Sequence, residues 1–166
     1  METMEARMVK LYARNNNHVA LHAIPGHFAT SHSHINFYID MTSLKTRANE
    51  AQEVAKSLAG DYVNSTVVDT IVCMDGTEVV GAYLAQEFEK RGFRNTNLHD
   101  TIYVVTPEYN ANNQLIFRDN TIPAIKGKNV ILLLATTTTG LTVRRSLECV
   151  QYYGGTVHGI SSIFST

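Results

Sequence analysis

Four consecutive threonines, Thr136, Thr137, Thr138 and Thr139, are followed by Gly140, Leu141 and Thr142, directly after the apolar run 130–135. A buried strand that runs into a hydroxyl-rich turn opening a helix builds an anion site. The first amides of the helix point outward unpaired, the helix dipole favours negative charge there, and threonine hydroxyls add donors to phosphate oxygens. Gly140 lets the backbone approach a ligand closely. A plainer reading stands beside this one: an ordinary strand-turn-helix corner whose threonines cap the next helix. Four successive hydroxyls favour the ligand, so residues 136–142 are the expected phosphate-binding positions.

A second loop, Asp75-Gly76-Thr77-Glu78, follows the strand-like segment 67–74 and precedes a helical pattern. Ligands of open α/β sheets bind at that carboxyl edge. Asp75 and Glu78 are therefore the candidate catalytic acids, although the same residues also suit helix capping and the helix dipole. His27, His32 and His34 lie close in sequence, with His32 and His34 on one strand face, but no cysteine or carboxylate joins them at ligand spacing. No metal ligand is assigned. Arg144 and Arg145 read as solvated helix charges, and Tyr38, Tyr83, Tyr152 and Tyr153 as core or interface material.

The elements that must position these loops follow from periodicity. Segments 18–24 and 28–41 alternate apolar and polar residues around a break at Pro25-Gly26, which predicts a hairpin-like N-terminal lobe over 18–41. Leu44, Ala48, Ala51, Val54, Ala55 and Leu58 recur at helical spacing behind Thr42 or Ser43 as the cap, with Gly60 as the stop. Strand 67–74, helix 78–91, strand 101–106, strand 130–135, helix 143–152 and strand 156–164 then alternate. That order predicts an α/β fold with a central, mainly parallel sheet covered by helices on both faces. Residues 107–128 are polar and Asn-rich, with an apolar patch at Leu115-Ile116-Phe117, and read as a flap loop.

With 166 residues, 44% hydrophobic and 17% charged, the chain fits one domain over residues 1–166 with a substantial core. A formal charge of −1 argues against a nucleic-acid or anionic-membrane partner. The apolar run 130–135 is far shorter than the ~20 residues of a membrane span, and the acidic start differs from a signal peptide. Two cysteines, Cys73 and Cys149, suit buried thiols in a reducing compartment, so a cytoplasmic location is expected.

From about Gly26 to Phe164 the order of segments resembles the type I phosphoribosyltransferase family, orotate phosphoribosyltransferase in particular. Gly26-His27-Phe28 through Asp40 is similar to that family's N-terminal segment, residues 68–77 take the place of its strand and pyrophosphate loop, and 126–142 look like its signature strand and phosphate loop. The resemblance implies that Thr138, Thr139, Gly140 and Thr142 hold the 5-phosphate and ribose of phosphoribosyl pyrophosphate. It also implies that Asp75, Gly76 and Thr77 form the pyrophosphate loop and that the protein is a homodimer. Two departures stand out. Leu134 and Ala135 occupy the place of two adjacent acidic residues, and 104–119 offers only Arg118 where the family's mobile loop carries lysine and arginine. The chain also ends soon after the last matched strand. A backbone-built phosphate cradle survives loss of side-chain acids, whereas transition-state stabilisation does not. The expected function is binding of phosphoribosyl pyrophosphate or a nucleotide-like molecule, with transferase activity lost or altered. The alternatives are an active transferase whose Mg²⁺ is organised by Asp75 and Glu78, and a regulatory or structural subunit.

Overall fold

The computed structural model describes residues 3, 5–29, 34–62, 65–96 and 101–165. An antiparallel lobe comes first, with β1 (Val9–Ala13), β2 (Asn16–Ala29) and β3 (His34–Asp40) in that spatial order. Two helices follow, α1 (Thr42–Thr46) and α2 (Ala48–Ala59). Then come β4 (Thr70–Cys73), α3 (Glu78–Lys90), β5 (Tyr103–Val105), the short pair β6 (Glu108–Tyr109) and β7 (Leu115–Ile116), β8 (Asn129–Thr137), α4 (Leu141–Tyr152) and β9 (Thr156–Ser165).

The central sheet has the order β5-β4-β8-β9, with every neighbouring pair parallel. Its middle strands are continuous apolar runs because both faces are covered. Alternation along β4 and β8 divides the core in two. Ile71, Cys73, Ile131 and Leu133 face α2 and α3, packing with Val54, Val80, Leu84 and Phe88. Val72, Met74, Val130, Leu132 and Leu134 face the other way, onto Cys149 and Val150 of α4, Phe117 and Ile125. The backbone of α3 lies so close to β4 that a Cβ on Gly81 would stand 2.3 Å from Cys73 Sγ. At the amino edge of the sheet, fully buried Asp69 accepts from Asn129 N at 2.8 Å, Asn129 Nδ2 at 2.7 Å and Thr96 N. Burial pushes the Asp69 carboxyl up, but these donors outweigh it and hold its pKa below the ordinary value. That edge is braced, which leaves the carboxyl edge as the open one.

Several expected boundaries move. Pro25-Gly26 does not end the strand: β2 runs through it with a register shift between Pro25 and Phe28. Pro25 lies past the last β1 pair, Val9↔Ala23, so its missing N–H costs the sheet no rung on that side. The lobe also begins earlier than residue 18, because β1 pairs with β2 from Val9. The single helix expected from 42 to 58 is interrupted at Arg47, which is extended (φ −86°, ψ 121°). Neither Thr42 nor Ser43 caps it; Asp40 Oδ1 accepts from Thr42 N at 2.9 Å instead. Gly60 ends α2 in right-handed conformation (φ −64°). The strand expected over 67–74 is regular only in β4, with Val67 making an isolated bridge to Arg94. The flap carries an antiparallel pair, Glu108↔Ile116 and Tyr109↔Leu115. Among the described residues no helix is long and apolar enough to cross a membrane.

Candidate ligand site at the carboxyl edge of the sheet

Strand β8 continues to Thr137, pairing Thr136 with Phe164 and Thr137 with Ser165, so the turn proper is Thr138, Thr139 and Gly140. Gly140 is left-handed (φ 76°, ψ 4°), and nothing lies within 4 Å of where a Cβ would stand. It is the N-cap of α4, yet no side chain caps that helix. The capping reading of the threonines is therefore not how the turn is used, and the first amides of α4 keep no intrahelical partner. Thr137 Oγ1 is buried with no hydrogen-bond partner. Together with Asp75 and Val143, residues 136–142 line a cavity of about 130 Å³. Among the described residues its walls hold no lysine, arginine or histidine.

The opposite wall is the turn after β4. Asp75 and Gly76 are both left-handed, at φ 56° and φ 76°. Thr77 is fully buried, and its hydroxyl donates to the carbonyls of Met74 (2.8 Å) and Leu133 (3.2 Å), tying the ends of β4 and β8 together. Thr77 is thus a brace beneath the turn. Asp75 is an exposed residue, yet the protein packed round its carboxyl raises the pKa, against lowering by Lys45 and by the Ala135 amide. Glu78 does not line the cavity, and its Oε1 accepts from Thr106 Oγ1 at 3.1 Å, toward β5. The structure therefore brings Asp75 to the threonine turn and turns Glu78 aside.

Sequence reasoning missed Lys45. Helix α1, anchored by buried Leu44, carries it across to the turn, where Nζ donates to the Asp75 carbonyl at 2.8 Å. Its partner is a backbone atom 30 residues away, so no local pattern signals the contact.

No family model matches the chain, and no curated protein matches it in sequence. Solved structures do match in shape. A Mycobacterium tuberculosis orotate phosphoribosyltransferase, solved with Fe(III) dicitrate, superposes with TM-score 0.54 at 16% identity, over 86% of this chain and 76% of that one. An adenine phosphoribosyltransferase from Thermoanaerobacter pseudethanolicus gives 0.57 at 14% identity, over 98% and 85%. One from Leishmania donovani gives 0.57 at 16%, over 87% and 64%. The fold is that of the type I phosphoribosyltransferases. Orotate and adenine enzymes match alike, so the likeness does not single out the orotate branch.

Within that fold the departures have a structural form. Leu134 is fully buried in the α4-side core and Ala135 is 3% exposed. Neither brings a carboxylate to the end of β8; Asp75, reaching across from β4 to the Ala135 amide, is the acid that stands there. Arg118 is engaged with Glu108 at 2.8 Å and Arg144 with Glu148 at 3.0 Å. Arg145 lines a different depression, beside Asn112, Asn113 and Glu148. His27 and His34 meet across β2 and β3 with ring nitrogens 2.8 Å apart, while His32 lies outside the described residues. Among the described residues no group of three or more His, Cys, Asp or Glu side chains converges as a metal site.

Proposed function

We propose that this protein binds a phosphorylated ribose compound, phosphoribosyl pyrophosphate or a nucleotide, with its 5-phosphate on the threonine turn, and that transferase activity is lost or altered. One observation carries this reading. The turn, its uncapped helix and the orphaned Thr137 hydroxyl enclose a cavity of phosphate scale, while the strand end behind it is aliphatic. At about 130 Å³ the cavity is smaller than the ~300–1,000 Å³ typical for whole ligands. It suits one phosphate group, with the rest of the ligand lying across the edge of the sheet. The M. tuberculosis orotate enzyme of this fold has been solved with phosphoribosyl pyrophosphate and with inorganic phosphate, which supports the ligand class.

Magnesium fits only in part. Mg²⁺ is commonly held by one or two carboxylates together with substrate phosphates, and among the described residues Asp75 is the one carboxylate lining the cavity. In this reading Asp75 and the ligand's own phosphates would hold the ion, whose contribution is to neutralise phosphate charge. At the strand end Leu134 and Ala135 carry no charge, which leaves Asp75 from the opposite loop as a single carboxylate near a developing cationic ribose, so binding without efficient transfer is expected. The test is incubation with phosphoribosyl pyrophosphate, Mg²⁺ and orotate or adenine, following pyrophosphate release and nucleotide formation. Binding without base-dependent release is expected, and brisk synthesis of either nucleotide would overturn the claim of lost or altered activity.

A further inference from the structure

The site has an unbalanced charge inventory. A phosphate on the threonine turn meets backbone amides and hydroxyls, and among the described residues no cationic side chain lines the cavity. Arg118 of the flap and Arg144 of α4 are paired with glutamates. Lys45 projects from outside both loops onto the Asp75-Gly76 turn. Its Nζ lies 3.7 Å from the position a Cβ would take on Gly76, so the ammonium rests over the one loop residue without a side chain. An ammonium has three donors. One is given to the Asp75 carbonyl, and Lys45 is only half-buried, so the remaining donors can meet a ligand.

Building on the phosphoribosyl-ligand reading above, we infer that Lys45 is the specificity-determining cation for a second phosphate group. It selects ligands with a diphosphate on ribose C1 over compounds that carry the 5-phosphate alone. Asp75 is part of the cavity wall and Lys45 covers the turn that carries it, so a second phosphate extending from the threonine turn over Asp75 comes within reach of the ammonium. There a diphosphate adds charge that amides alone neutralise poorly, whereas a compact ammonium with free donors matches it. Lys45 therefore supplies charge to this loop from α1, whereas Arg118 of the flap pairs with Glu108.

The test is calorimetric titration of wild type, Lys45→Gln and Lys45→Arg with phosphoribosyl pyrophosphate and, separately, ribose 5-phosphate, all with Mg²⁺. Lys45 sits on a short helix held by Leu44, and thermal melts of the variants check that the fold stands. Wild type should prefer the diphosphate compound. Lys45→Gln should lose about tenfold or more in affinity for it, the scale of one charge-assisted contact, with ribose 5-phosphate affected less than about twofold on the same conversion. Lys45→Arg should recover part of the loss, which a merely structural role would not produce selectively. Equal losses for both compounds, or none for either, would overturn the role of Lys45 while leaving the phosphate seat intact. Binding of neither compound by wild type would overturn the phosphoribosyl reading and this inference with it.

Discussion

Replacing Gly140 with alanine should separate the turn's part in binding from its part in stability. At φ 76° a non-glycine residue pays about 1–2 kcal/mol for the left-handed conformation. The smaller freedom of the unfolded alanine chain offsets about 0.4–1 kcal/mol of that. No clash adds to it, because nothing lies within 4 Å of the new Cβ. The net loss is about 1 kcal/mol, a fall in Tm of about 2–4 °C for a chain of this size. Gly92 offers a matched control: it is also left-handed (φ 71°), also has open space at its Cβ, and terminates α3 away from the cavity. Gly92→Ala should melt like Gly140→Ala and bind ligand like wild type. In Gly140→Ala the methyl group occupies the approach to the α4 amides, and loss of one charge-assisted hydrogen bond of about 1.5–3 kcal/mol weakens binding roughly ten- to a hundredfold. Melts and phosphoribosyl pyrophosphate titrations on the pair measure both quantities. Equal affinity in the two variants would refute the assignment of the phosphate to this turn.

Asp75→Asn should melt slightly higher at neutral pH. Crowding raises the Asp75 pKa, so the ionised carboxylate disfavours the fold once pH exceeds its folded pKa. Asparagine also tolerates the left-handed backbone. The gain should stay within about 0.5 kcal/mol for so exposed a residue and vanish in acid below the ordinary aspartate range, and a lower melt at pH 7.5 would contradict it. Leu134→Ala should cost about 2–5 kcal/mol in urea denaturation, since the side chain is fully buried against the α4-side core; a loss under about 1 kcal/mol would show the strand end to be loosely packed. Burial pushes the Cys73 thiol up to about 12 and the Cys149 thiol up to about 11. Both should resist a disulfide reagent at pH 8 and react only with unfolding, so rapid labelling of native protein would count against this packing.

The central strands were legible because a strand covered on both faces needs an apolar run, which 130–135 supplies over six residues and 71–74 over four. The threonine turn was legible for the same reason, as hydroxyls directly after such a run mark its exit. The places where reading fell short share a tertiary cause. Arg47 is no helix breaker, and Leu44 and Ala51 keep the spacing of one helix face, so nothing in the local sequence marks the interruption at Arg47. Strand β1 alternates in sequence, but four of its five residues are exposed, so burial patterning gave little signal there. The Asn-rich flap hid a hairpin because Asn113 takes a left-handed φ of 58° that closes the turn between β6 and β7. Asp75 and Glu78 were equivalent as sequence candidates, and the structure sets them apart by lining the cavity with Asp75 while Glu78 accepts from Thr106.

The most direct test of the central claim is calorimetric titration of the wild-type protein with phosphoribosyl pyrophosphate in the presence of Mg²⁺. Saturable binding at one site per chain is the expected result. Heats that remain those of dilution up to millimolar ligand would contradict the account and show that the threonine turn binds no phosphoribosyl compound.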